Sequence, residues 1–492
     1  MKTPCVLLLI AACPLLLFAQ IPPDTLWTRT IPSTYMEAAY SIQQTADGGF
    51  AVAGGRFIEG FGDVYLGKTD GDGNLLWSHT FGGGVDEEAE CVRECPDGGF
   101  ILSGRSNSWC PPGMQDFGDF YFVRTNADGD TLWTRVYNLD LDDDAHHIEC
   151  TPDGGFIAAG EVHALSTGTR ACLMKLDANG DSLWTRFYGT DWATYGYSVK
   201  LTEDGGYILA GNTLEPSGSG TNIYVVKTDS AGNELWHRVF GGSMHDDGYD
   251  VVQTEDGGYA LCGGLYASPE HNTDVYLIRM SATGDSLWAF TYGRDTGLET
   301  WGDEGLSIVQ DRDGGFIISG KTGANMPDRA YYELLKVDAS GQQVWLTVCT
   351  AGSDFCDGAW MCPTSDGGFV LAGMRWNTPG SGHIYLARYE GSEPPNRCGP
   401  DNALSAACSL APNYPNPFNP KTGIAFDLPR AAHVNLAVYD ILGQQVAQLA
   451  LGMQSAGHHA VNFDGSSLPT GTYYCRLKAG QYTQTRKMLL LK

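Results

Sequence analysis

Residues 40–81 read YSIQQTADGGFAVAGGRFIEGFGDVYLGKTDGDGNLLWSHTF. The opening run, Tyr40-Ser-Ile-Gln-Gln-Thr45, alternates apolar and polar residues and predicts a half-buried strand. Ala46-Asp47-Gly48-Gly49 predicts a tight turn, in which glycine accepts positive φ and aspartate bonds nearby backbone. Phe50-Ala-Val-Ala-Gly54 is then a second strand and Asp63-Val-Tyr-Leu-Gly-Lys-Thr69 a third. Asp70-Gly-Asp-Gly-Asn74 makes another turn, and Leu75-Leu-Trp77-Ser-His-Thr-Phe81 a fourth strand.

This grammar recurs. Tryptophans stand at Trp27, Trp77, Trp133, Trp184, Trp236, Trp288 and Trp345, with steps of 50, 56, 51, 52, 52 and 57 residues. In phase with them, Asp-Gly-Gly followed by Phe or Tyr begins at Asp47, Asp97, Asp153, Asp204, Asp256, Asp313 and Asp366. A period near fifty marks one supersecondary unit repeated around a ring or along a solenoid. Short antiparallel strands, taken four to a repeat, predict an all-β, seven-bladed β-propeller over residues 21–391. The chain opens with a fourth-strand sequence, Thr25-Leu-Trp27-Thr-Arg29, and its repeats end on a third strand, His383-Ile-Tyr-Leu-Ala-Arg388. Residues 24–31 are therefore expected to complete the last blade and cover its open edge.

Of 492 residues, 58 are acidic and 30 are Lys or Arg, for a net charge of −28. That balance argues against nucleic acid and anionic membrane surfaces, which call for basic patches. Residues 1–20 read as a secretory signal: Lys2, then an apolar run from Val6 to Phe18 too short to span a bilayer. No later run is long enough to span either. Removing the signal leaves twelve of the 14 cysteines, an even number on an export route where disulfides form. They do not follow the repeat. Cys398 and Cys408, in a Pro-rich linker over residues 392–412, are the easiest pair to join, and no Cys-x-x-Cys suggests zinc.

Residues 413–492 form a separate β module. Tyr414-Pro415-Asn416-Pro417-Phe418-Asn419-Pro420 is followed by Ile424-Ala-Phe-Asp-Leu-Pro, then by Val434-Asn-Leu-Ala-Val-Tyr-Asp-Ile-Leu-Gly443-Gln. Next come Ala456-Gly457-His-His, Leu468-Pro-Thr-Gly471-Thr-Tyr and Thr485-Arg-Lys487-Met-Leu-Leu-Leu-Lys492. In that order these motifs resemble the type A sorting domain of the type IX secretion system. The resemblance implies a small immunoglobulin-like sandwich. It also implies recognition by the type IX machinery, passage across both membranes, and a secreted or surface-attached product. The repeats resemble secreted propeller proteins in architecture only.

Strand direction sends the Asp-Gly-Gly and Asp-x-x-Gly-Asp/Asn turns to one end of the blades. The variable loops and blade-to-blade crossings go to the other end, where binding usually resides. Five tryptophans outside the repeat, Trp109, Trp192, Trp301, Trp360 and Trp376, fall on that variable face. They suit stacking on sugar rings or on a partner's apolar patch, or packing onto their own scaffold. The crossings there are acidic, with Asp303, Glu304 and Asp357 the candidate ligand contacts. Asp143, His146 and Asp247 are the metal-like positions, although neighbours on one strand point to opposite faces. No cofactor is called for, although clustered carboxylates can hold Ca²⁺. Asp70-Gly-Asp-Gly-Asn74 and Asp177-Ala-Asn-Gly-Asp181 open like calcium loops but lack the glutamate at the twelfth position.

The sequence carries no P-loop, Gly-x-Ser-x-Gly, His-Glu-x-x-His or dinucleotide fingerprint, and no catalytic residue stands out. Two functions remain. One is an exported binding or structural propeller for glycan or protein. The other is a secreted polysaccharide hydrolase or lyase using carboxylates on the variable face.

Overall fold

The computed structural model describes residues 25–390 except 59–60, 109–116, 165–167, 190–192, 215–219, 243, 269–270, 294–301, 324–329, 350–354 and 377–381, and residues 409–492 except 411–415, 417, 429–431, 440–444, 455–456, 467 and 480–481. The signal segment, most of the linker, and Trp109, Trp192, Trp301, Pro415, Pro417 and Gly443 lie outside the described residues. The chain divides into two compact units, residues 1–395 and 396–492.

The larger unit is all-β and propeller-like. Its described residues form seven four-stranded antiparallel sheets. The first runs Met36–Gln44, Phe50–Ile58, Phe61–Thr69 and Leu75–Phe81 in sequence order, and the next five repeat that order over residues 87–137, 142–188, 194–240, 246–292 and 304–349. In the seventh, Phe355–Pro363, Phe369–Trp376 and His383–Tyr389 are joined at the edge by Thr25–Thr30, which pairs antiparallel with His383–Tyr389. The first strand of every sheet touches the first strands of its neighbours, and Met36–Gln44 touches Phe355–Pro363.

A basic residue links the two sequence ladders. Lys68 lies opposite Trp77 and reaches Asp47 at 2.9 Å. Arg124, Lys175, Lys227, Arg279, Lys336 and Arg388 hold Asp97, Asp153, Asp204, Asp256, Asp313 and Asp366 in the same way, all at 2.5–2.9 Å. The aspartate also takes the N–H two residues on, as Asp47 Oδ1 does from Gly49 at 3.0 Å. Gly48 stands at φ 84°, so the turn keeps a glycine there. Each sheet's tryptophan meets the next sheet: the Trp77 ring lies 5.9 Å from Phe100 and Trp133 6.0 Å from Phe156. Trp27, in the seventh sheet, lies 5.9 Å from Phe50 in the first. These contacts bury an aromatic at successive sheet boundaries, where edge-to-face packing adds to area burial.

The smaller unit has two sheets. One contains Ser409–Leu410, Lys421–Leu428 and Gly457–Asp464; the other orders Gln445–Gln454, Ala432–Tyr439, Gly471–Ala479 and Tyr482–Leu490. Phe426 from the first sheet and Leu436, Leu477 and Met488 from the second share one core, as in a small sandwich.

Candidate functional site

In every large-unit sheet the first strand carries a bulge at the same place. The register slips between Ala39 and Ser41, Ala89 and Cys91, Asp144 and His147, Gly196 and Ser198, Gly248 and Asp250, Gly305 and Ser307, and Asp357 and Trp360. A bulge leaves residues outside the ladder and re-aims their side chains. Among the residues so released are Tyr40, Glu90, His146, Tyr197, Tyr249 and Leu306. All six line one cavity of about 910 Å³, bounded by the first strands of all seven sheets, and Trp360 lines it too.

His146, Tyr197 and Tyr249 form an arc of rings in contact. His146 and Tyr197 rings meet edge-on at 5.1 Å, and Tyr197 lies 6.0 Å from Tyr249. Carboxylates flank the arc on both sides. On one side the Tyr249 hydroxyl donates to Glu304 Oε2 at 3.2 Å, and Asn212 bridges to Asp247 at 2.5 Å. Burial and the charge of Glu304 raise the pKa of Asp247.

On the other side His146 Nε2 sits 2.8 Å from Glu161 and Nδ1 4.0 Å from Glu90. Burial disfavours the imidazolium, but Glu161 and Asp144 outweigh it and hold the His146 pKa well above its usual value. Burial pushes Asp144 up to about 7, with Glu90 and Glu161 adding to the shift against His146 and Arg105. Glu90, Asp144 and His146 can each offer one ligand atom, all within 4.8 Å of one another. Two carboxylates and an imidazole suit zinc better than calcium. A cationic His146, however, already neutralises these carboxylates.

Farther along the same strands lies a charged belt. Arg93 pairs with Glu149 at 3.0 Å, and Lys200 approaches Glu149 at 3.4 Å and Asp250 at 3.9 Å. His147 Nε2 lies 2.8 Å from Arg93 and 3.2 Å from Lys200. Burial and those two cations hold its pKa well below the ordinary value, so the neutral ring accepts from them. Asp250 accepts from Ser198 at 2.8 Å, Ser307 at 3.3 Å and the Ile308 N–H at 3.2 Å, tying three sheets together.

The residues expected from sequence are placed unevenly. His146 and Trp360 line the cavity, and Glu304 and Asp247 stand beside it through Tyr249 and Asn212. Asp143 instead turns into its own loop, accepting the N–H groups of Leu139 at 2.6 Å and Asp140 at 3.1 Å. The metal-like group is thus His146 with Glu90 and Asp144, and neither Asp143 nor Asp247 belongs to it. Asp303 is mostly buried, and its N–H bonds Thr273 O at 2.6 Å. Trp376 ends the strand Phe369–Trp376 with its indole N–H buried, and Asp357 precedes the seventh bulge. Tyr197, Tyr249 and Glu90 were not singled out from sequence, because a bulge has no composition of its own, nor was Glu161, which reaches His146 from the second strand opposite Asp144.

In the smaller unit the proline-rich motif grips the last strand. Asn416 accepts the Leu489 N–H at 2.9 Å and donates to Lys487 O at 3.2 Å. Phe418 exchanges backbone bonds with Leu489 and Leu491 at 2.9 Å and is buried against Phe463. Pro420 O accepts the Gly465 N–H at 2.8 Å, Asn419 lies between Phe418 and Pro420, and Gly471 opens the strand Gly471–Ala479. Residues 413–491 match the family model described as the secretion system C-terminal sorting domain. The tail is a type IX sorting domain. It directs the protein to the type IX machinery and so to the cell surface or beyond. No described helix is long and apolar enough to cross a membrane.

Among curated proteins no sequence matches the chain. Among solved structures it is similar to a fungal alcohol oxidase of the AA5 family in complex with copper, with 12% identity, 96% of this chain and 100% of that one covered, and TM-score 0.45. It is also similar to the polysaccharide lyase Uly1, with 12% identity, 71% and 89% covered, and TM-score 0.46. A third is the Penicillium chrysogenum alpha-L-arabinanase, with 11% identity, 61% and 92% covered, and TM-score 0.41. At these scores the neighbours assign no chemistry to the sorting domain's cargo.

Proposed function

We propose that residues 21–391, between a signal peptide (1–20) and a linker (392–412), form a seven-bladed β-propeller closed by its amino-terminal strand, and that this exported propeller binds carbohydrate at the bulge-lined mouth of its central cavity. One observation carries the reading: the bulges bring Tyr40, Tyr197 and Tyr249 to a single cavity, which Trp360 also lines, alongside Glu90 and His146. Aromatic faces stack on the apolar faces of sugar rings, and neighbouring carboxylates accept sugar hydroxyls. A cavity of about 910 Å³ has room for more than one ring. The carboxylates of Glu90, Glu149 and Asp250 in the lining are balanced by Arg93, Lys200 and His146, so the favoured ligand is a neutral polysaccharide.

A second reading rests on Asp144. A carboxyl titrating near 7 next to Glu90 has the properties of a general acid beside a partner carboxylate, as a glycan hydrolase or lyase needs. Residues 21–391 should be screened against neutral and acidic polysaccharides for both retention and turnover. Retention without turnover supports the binding module. Turnover abolished in both Glu90→Gln and Asp144→Asn supports the enzyme. Neither retention nor turnover for any glycan removes carbohydrate as the ligand.

A further inference from the structure

The contact between the second and third sheets of the large unit departs from the repeat in a way that points to oxidation chemistry. At four of the seven sheet boundaries a polar side chain at the end of a first strand reaches the neighbouring sheet's turn and takes the N–H just before its Asp-Gly-Gly. Gln44 takes that of Ser365 at 2.7 Å, Glu94 that of Ala46 at 2.7 Å, Gln253 that of Glu203 at 2.9 Å and Gln310 that of Glu255 at 3.0 Å. Between the second and third sheets this tie cannot form. The residue before Asp97 is Pro96, which has no N–H, and the position matching Gln44 is Cys150.

A second departure faces the first. Ahead of the turn most sheets place a threonine that donates to the turn aspartate, as Thr45 does to Asp47 at 2.6 Å and Thr254 to Asp256 at 2.7 Å. The second sheet has Cys95 there instead. The two exceptions meet: Cys95 Sγ and Cys150 Sγ lie 3.5 Å apart, across 55 residues of chain. A surface cavity of about 410 Å³, lined by both cysteines with Pro96, Arg124 and Trp133, opens onto them.

We propose that Cys95 and Cys150 are joined by a disulfide in the exported protein, a covalent tie in place of the missing hydrogen bond. Sulfurs in contact need only small side-chain rotations to reach bonding distance. Export takes the chain to a compartment where thiols are oxidised. The oxidant is a disulfide-carrying thiol oxidoreductase of that compartment. The Cys150 thiolate attacks one sulfur of its disulfide, forming a mixed disulfide and releasing one donor thiolate. The Cys95 thiolate then attacks Cys150 Sγ and expels the second. Two protein thiols lose their protons, the Cys95–Cys150 bond forms, and the donor leaves as its dithiol. The hydrogen bond shared with Cys95 lowers the Cys150 pKa, which suits Cys150 to the first attack.

The test is peptide mapping of the full-length protein collected after export, its free thiols capped with an alkylating reagent before digestion without reductant. The expected product is one linked peptide pair containing Cys95 and Cys150. In Cys95→Ser that pair should vanish and Cys150 should become alkylated. Reductant should also lower the Tm of the wild type by about 5 °C more than that of the double variant Cys95→Ser/Cys150→Ser. Alkylation of both cysteines in the unreduced wild type overturns the proposal, as does either one linked to a third cysteine. The mapping needs only the wild type, so a variant that fails to fold leaves it decisive.

Discussion

Trp27, near the start of the chain, pairs in register with Arg388, near the end of the last repeat, and Arg388 reaches Asp366 at 2.6 Å. The same relation joins Trp77, Lys68 and Asp47 within the first sheet. Two segments more than three hundred residues apart thus rebuild a unit that six other sheets make from contiguous chain. The Trp27 ring then packs on Phe50 of the first sheet and over Gly73, where a Cβ would come within 2.6 Å of the indole.

Removing that relation should be costly. Trp27→Ala deletes a half-buried indole at a sheet boundary and is expected to cost about 2 kcal/mol. Deleting residues 21–31 also exposes a strand edge and should cost several times more. Urea unfolding of residues 21–391 measures both. Equal midpoints for the deletion and the intact chain would contradict a closing role for this strand.

The turn aspartates set the acid limit. Asp47, Asp153 and Asp204 titrate at about 2 against the usual 3.8: burial opposes the shift, but bonds from the neighbouring threonine, lysine and glycine outweigh it. Their folded pKa lies below the unfolded one, so their stabilisation is complete above about pH 4 and is lost as pH falls toward 2. Tm followed from pH 5 to pH 2 should drop mainly in that last interval. Lys68→Met, Lys175→Met and Lys227→Met combined should flatten the drop.

One of the seven basic residues differs in kind. The Lys336 side chain is fully buried and pairs with Asp311, itself only 3% exposed, as well as with Asp313. Lys68 instead pairs with an aspartate 62% exposed. Lys336→Met leaves a buried carboxylate without its cation and should cost about 3–5 kcal/mol. Lys68→Met should cost about 1 kcal/mol or less. Chemical denaturation of the two variants side by side reads the contrast directly, and equal losses would show that burial does not separate them.

The two ladders and the strand grammar were legible because each rests on residues with one physical use: glycine at positive φ, aspartate bonding a turn, tryptophan at a boundary. The linking lysines and arginines were legible too, since each from Lys68 to Lys336 stands nine residues before its tryptophan, but strand alternation alone did not single them out. The bulges were not legible. An unpaired residue leaves composition unchanged yet reverses every facing beyond it. Asp144 and His146, two residues apart, share a face by alternation, and Asp143, one residue earlier, turns into its own loop; their meeting with Glu90, released by the bulge of the neighbouring sheet, is what alternation did not foretell. Trp360, paired with Ala372 just past the seventh bulge, lines the cavity from within the ladder.

The sorting domain predicts a simple dissection. Asn416 and Phe418 pin the last strand, so Phe418→Ala should loosen the tail and reduce surface delivery several-fold. A chain ending at Glu390 should fold yet fail to reach the surface of a host with the type IX machinery. Surface labelling with antibody against residues 21–391 measures both, and normal display of the truncated chain would contradict a need for the tail.

The most direct test of the cavity-mouth account is calorimetric titration of residues 21–391 with the best-retained neutral polysaccharide, repeated on Tyr197→Ala, Tyr249→Ala and Trp360→Ala, with Tm measured alongside. The account predicts that each change weakens binding by about 1–3 kcal/mol while Tm stays within a few degrees. Affinity unchanged in all three, with Tm lowered, would make these rings packing residues and contradict it.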